Sequence, residues 1–345
     1  MATQPFPDEL GGKHDFDYIT PRGRRLSEYE AVTCYTQPGV HGGGLQAPGD
    51  FMLRPDGRPL FDPNSTAVKC DDWYAFRDPN QLWQRGYYTM QAEAERSIDV
   101  ATNVAIETGA VQGVDGGWIE QGLLRTYFPF SHYEYGLFRT LNVSAREALS
   151  DTINNVVAFN AADKLRHAQA ITILGLDLEG AIDGFDPTIG RQTWLEADEW
   201  QPVRRVVEEA MALGDWVEAV VATNLVLEPL LGEPLRQQVF SNVAARSGDT
   251  FTPVITGTAM NDWLRNSRWA QAFVEFCATC PGGEGNAKLL QDWTDSWAEK
   301  VRPVSETLFS SIEASLGASG LVQQAQAVAK REFERLATAL APVAA

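Results

Sequence analysis

The chain has 345 residues, with 28 Lys+Arg against 46 Asp+Glu and a formal net charge of -18. That balance excludes a general binder of nucleic acid or anionic lipid, because clustered cationic side chains supply the phosphate contacts in such binding. Four cysteines exclude a disulfide scaffold, and with no apolar run of membrane length the composition predicts a soluble, cytoplasmic protein with no membrane association.

Residues 1–78 read as an extended, mostly non-helical N-terminal arm. Nine of the 18 prolines fall at or before Pro79, and proline removes a backbone donor and fixes φ. The segment is nevertheless rich in aromatics (Phe16, Tyr18, Tyr29, Tyr35, Phe51, Phe61, Trp73, Tyr74, Phe76), which solvated disorder normally lacks. An arm lying on an apolar surface, either this chain's own body or a partner, is expected.

Residues 79–345 read as all-α. Asp78-Pro79 has the chemistry of a helix start. Ser144 and Glu147 have capping-box spacing ahead of a long run that Gly175 is expected to end. Val203, Val206, Val207, Ala210 and Met211 follow the spacing of one helix face. Further helices are predicted near 215–230, 258–279, 287–316 and 320–340. Sustained strand alternation and internal repeats are absent from the sequence.

Two carboxylates stand where charge is costly. Glu218 lies in the stretch 215–228, apolar almost all the way round, and Glu134 sits among the aromatics of 127–138. A buried carboxylate needs a metal, a cation or hydrogen bonds, or it takes a proton. With the nearby Asp163-Lys-Leu-Arg-His167, the pair points to a bundle-core site of the di-iron carboxylate type. A working site needs two Glu-x-x-His pairs, yet none of His14, His41, His132 and His167 has Glu three residues before it. Lys164 stands there ahead of His167, and an ammonium cannot bind iron.

Three stretches then carry a family resemblance. Arg24-Arg-Leu-Ser-Glu-Tyr-Glu30, Trp73-Tyr-Ala-Phe-Arg-Asp-Pro79 with Tyr87-Tyr-Thr-Met-Gln-Ala-Glu93, and Asp163-Lys-Leu-Arg-His167-Ala-Gln169 resemble the small (beta) hydroxylase subunit of soluble di-iron multicomponent monooxygenases. These include propane, tetrahydrofuran, toluene, phenol and methane enzymes. The resemblance implies a ferritin-like bundle, similar to the ribonucleotide reductase small subunit, with a degenerate di-iron site. Glu134, His167 and Glu218 would keep ligand positions, while Lys164, Trp263 and Asn266 would replace ligands. It implies no catalytic residue and no metal in this chain, with the di-iron centre in a catalytic alpha subunit. The assembly would be of α2β2 or α2β2γ2 type, served by a reductase using NAD(P)H and by a regulatory coupling protein. The arm and composition are most similar to the propane and tetrahydrofuran group.

Two other readings compete. An independent oxidase could hold one metal with Glu134, His167 and Glu218, or a ferritin-like binding protein could enclose a hydrophobic ligand. Among the remaining motifs, Cys277-Ala-Thr-Cys280 has redox spacing but no thioredoxin-like context, so small buried thiols at a helix end are expected. His41-Gly-Gly-Gly44 lacks any Gly-x-Ser-x-Gly partner and reads as an arm turn.

Overall fold

The computed structural model describes residues 26–35, 57 and 62–340. In chain order the elements are α1 (Gln84–Glu107), then α2 (Phe128–Glu147), entered through a π-helical segment Trp118–Tyr127, and α3 (Asp151–Ala181). Next come α4 (Thr188–Glu196), α5 (Gln201–Met211) and α6 (Trp216–Val221). The last continues as π-helix over Ala222–Gly232 and Leu235–Val243 into α7 (Ala244–Arg246). Three helices follow: α8 (Thr252–Thr279), α9 (Asn286–Leu316) and α10 (Leu321–Ala337). No strand occurs among the described residues.

Local chemistry sets the helix ends, partly at other residues than the sequence indicates. Ser150, not Ser144, opens α3 by accepting the Ile153 N–H at 3.4 Å. Ser144 lies inside α2 and bonds back to the Thr140 carbonyl. Asp78 caps no helix. Its carboxylate accepts N–H groups of Asn80 and Leu82 in a turn ahead of α1, while its own N–H donates to the Tyr29 hydroxyl at 2.9 Å. Asp215 opens α6 by accepting from Val217 and Glu218.

Gly175 does not end α3; it lies mid-helix at a close approach. A Cβ there would fall 2.8 Å from Phe128 Cε1 and 3.0 Å from Pro187 Cβ. A helical glycine at such a point costs helix propensity, and the aromatic packing it permits offsets that.

The centre is a ferritin-like bundle. α2 packs along α3, α3 along α8, and α8 along both π-helical continuations of α6, the first of which returns to α2. α9 and α10 cover Ala222–Gly232, and α1 lies outside against α3 and α8. Trp118, Trp216, Trp263, Trp269, Tyr133 and Phe130 fill the interior as fully buried side chains.

Most of the expected arm, including His14, His41 and Gly42–Gly44, lies outside the described residues. Its described part folds on this chain's own body. Ser27 and Glu30 cap each other reciprocally, Ser27 N–H to Glu30 at 2.8 Å and Glu30 N–H to Ser27 at 3.1 Å, starting a π-helical turn Glu30–Tyr35 that packs on α3. Phe76 packs edge-on against Phe273 and Phe276.

Candidate functional site at the bundle centre

Five ionisable side chains from three central elements converge in the core. α2 supplies Glu134, α3 supplies Lys164 and His167, and the π-helical continuations of α6 supply Glu228 and Arg236. Glu134, Glu228 and Arg236 have no solvent exposure. Lys164 Nζ lies 3.2 Å from Glu134 Oε2 and 2.6 Å from Glu228 Oε2. The Arg236 guanidinium bridges the same two carboxylates, at 2.5 Å to Glu134 Oε1 and at 2.9 and 3.1 Å to the two oxygens of Glu228. It also reaches Glu233 at 3.4 Å. Gly232 makes room for this fork, since a Cβ there would lie 2.4 Å from Glu228 Oε1.

Burial alone would force the Glu134 carboxyl to protonate, and the paired cations decide otherwise. Burial pushes Glu134 up, but Lys164, then Arg236 and His167, hold it well below the usual carboxylate range. Burial opposes the charge of Arg236, yet Glu228 and Glu134 hold it well above its ordinary value. His167 is pushed down by burial, only partly countered by Glu134, and is neutral. With Glu134 ionised, His167 Nδ1 carries the proton and donates to Glu134 Oε1 at 3.0 Å. Nε2 then accepts from the Tyr127 hydroxyl at 3.4 Å.

A second network of crossed ion pairs flanks the first. Asp163 and Arg166 on α3 face Asp262 and Arg265 on α8. Arg166 pairs with Asp262 at 2.5 Å, while Arg265 pairs with Asp163 and reaches Asp262 at 2.9 Å. Gln91 on α1 donates to both aspartates at 2.9 Å, and Tyr87 donates to Asp163 at 3.0 Å. Asn266 donates its amide to Asp163 at 2.8 Å and accepts the Trp269 indole N–H at 3.2 Å. Burial and the neighbouring Asp262 push Asp163 up to about 7 against the pull of Arg265. Burial also opposes the charge of Asp262, but Arg166 and Arg265 hold it below its ordinary value.

The structure brings Glu134, Lys164 and His167 together, with Trp263 and Asn266 beside them, and leaves Glu218 out. The space among Glu134, Lys164, His167, Trp263 and Asn266 is about 10 Å³. Glu218 lies one face away in the first turn of α6, half-buried, accepting the Trp297 indole N–H at 3.0 Å. Glu228, ten positions on, is the carboxylate that meets Glu134. The ligand position expected at Glu218 is therefore corrected: the carboxylate that shares Lys164 with Glu134 is Glu228. A single-metal oxidase built on Glu134, His167 and Glu218 loses its third ligand.

Sequence reasoning also missed Arg236. Spacing offered one signal, since 45 residues separate Glu218 from Trp263 but 35 separate Glu228 from it, nearer the 30 between Glu134 and Lys164.

The donor set does not fit a di-iron centre. An ammonium and a guanidinium lie between the carboxylates that would have to bridge metals, and two-metal sites need about 3.5–4 Å between ions. No group of three or more His, Cys, Asp or Glu among the described residues is arranged to hold a metal. No helix among them is long and apolar enough to cross a membrane.

A model of the methane/phenol/alkene hydroxylase family matches residues 54–280. The propane 2-monooxygenase hydroxylase small subunit of Mycolicibacterium goodii is 34% identical over 299 residues, 85% of this chain and 79% of that protein. The chain belongs to this family, among the small (beta) subunits of monooxygenase hydroxylase components. The methane monooxygenase component A beta chain of Methylococcus capsulatus (strain Bath) is 30% identical over 302 residues, 84% of this chain and 77% of that one. The solved phenol hydroxylase of Pseudomonas sp. OX1 shares the fold, with a TM-score of 0.77 over 97% of both chains at 21% identity. As a hydroxylase small subunit, the chain is part of an oxidoreductase.

Proposed function

We propose that this chain is the non-catalytic beta subunit that scaffolds a catalytic di-iron alpha subunit in a cytoplasmic multicomponent monooxygenase. The observation that carries the reading is the pair of cations, Lys164 and Arg236, set between Glu134 and Glu228. They supply, as fixed parts of the chain, the positive charge that two buried carboxylates require. The relatives' names point to a small hydrocarbon as substrate, propane before the others, hydroxylated by the partner with O₂ and electrons a reductase takes from NAD(P)H. An α2β2 or α2β2γ2 assembly with a coupling protein fits this reading.

The apolar side chains left at the surface of α1 and α3, among them Val100 and Leu176 at 62% exposure each, suit a chain that is buried against a partner. The test is metal analysis of the chain expressed by itself and co-expressed with its large subunit. Iron is expected with the complex and not with the lone chain. Stoichiometric iron in the lone chain, lost on Glu134→Ala, would overturn the reading.

A further inference from the structure

The Cys277-x-x-Cys280 motif plays no part in the charged core, and its second cysteine meets a third thiol far away in sequence. Residues 69–71 run against the turn between α8 and α9. The Asp71 N–H donates to the Pro281 carbonyl at 2.9 Å, and Cys280 Sγ lies 3.4 Å from the Lys69 carbonyl. Asn286 locks the same joint, accepting the Lys69 N–H at 3.1 Å and donating to the Lys69 carbonyl at 2.7 Å. One glycine lets the turn lie against residues 69–71, and a second lets the turn itself close tightly. A Cβ on Gly282 would fall 2.3 Å from Asp71 Oδ1, and one on Gly283 3.2 Å from Cys280 Sγ.

Cys70 is thus held between two residues that are each bonded to the Cys280–Pro281 turn. We propose that Cys70 and Cys280 are a redox-active pair that closes to an intrachain disulfide on exposure to hydrogen peroxide, fastening the base of the N-terminal segment to the α8–α9 turn. Cys277 is excluded from the pair because it is fully buried among the α8 core residues.

The chemistry balances in two steps. The partly exposed Cys70, as thiolate, attacks one peroxide oxygen, giving a Cys70 sulfenic acid and hydroxide. Cys280, as thiolate, then attacks the sulfenic sulfur, forming the S–S bond and expelling a second hydroxide. The hydroxides take the two thiol protons, so two thiols and one peroxide give a disulfide and two waters. Burial, then the adjoining Cys70 thiol, pushes Cys280 up to about 12. The closing step therefore quickens with rising pH, and proximity rather than acidity makes it selective.

The experiment uses the full chain, reduced, treated with hydrogen peroxide, blocked with N-ethylmaleimide and mapped by mass spectrometry after trypsin without reduction. The expected product joins the peptide 70–77 to the peptide 269–288, with fragmentation placing the link at Cys280. Dithiothreitol should reverse it, and Cys70→Ser should abolish it. A loop link between Cys277 and Cys280 would overturn the proposal. So would over-oxidation of Cys70 without any link, or no modification at all. The wild-type map decides between these outcomes even if the variant folds poorly.

Discussion

At the scale of single residues, the core holds two fixed cations against three carboxylates. A buried ion pair is a weak net stabiliser, but removing one member strands the other. Lys164→Met leaves Glu134 and Glu228 sharing Arg236, and is expected to cost about 3–5 kcal/mol in denaturant unfolding. A loss below a tenth of that would mean that water already solvates the pair. Glu233 has the opposite electrostatic sense. Burial, opposed by Arg236, raises it from 4.5 to about 7. Across that window the folded state holds a proton that the unfolded state has released, so stability falls as pH rises. Glu233→Gln, which cannot ionise, should flatten that part of the pH–stability curve. Glu134, held low, contributes stability that is present above its unfolded pKa and lost only as pH falls through its folded one.

At the scale of elements, Gly136 on α2 marks the tightest contact with α5, where a Cβ would lie 2.2 Å from Val207 Cγ1. Gly136→Ala should therefore cost about 1–3 kcal/mol through forced repacking, measured as a lower unfolding midpoint. The bundle was legible in the sequence because its helices carry clear apolar faces, and Glu134, Lys164 and His167 because ions or imidazole on such faces need partners. Glu228 and Arg236 were hidden by the shape of their element. The stretch from Val220 to Arg236 is buried on all sides, so its pattern carries no phase. The helix widens to π geometry around Pro229 and continues, bringing Glu228 and Arg236 to the same side. Asn266 was visible in the sequence but its purpose was not: the amide supplies the N–H that Asp163 accepts.

At the scale of the whole molecule, the described end of the N-terminal segment belongs to this chain, tied by Tyr29 to Asp78 and by the 69–71 joint to the α8–α9 turn. Deleting residues 1–25 should weaken co-elution with the large subunit in size-exclusion chromatography while leaving the helical circular dichroism of the lone chain intact. Equal assembly of the truncated and full chains would remove the segment as a partner contact. A bundle whose central carboxylates are neutralised by Lys164 and Arg236 carries its counter-charge from the ribosome onward. Under the proposed function its maturation needs no metal delivery, so an iron-starved cell is expected to accumulate this subunit folded while the large subunit waits on iron.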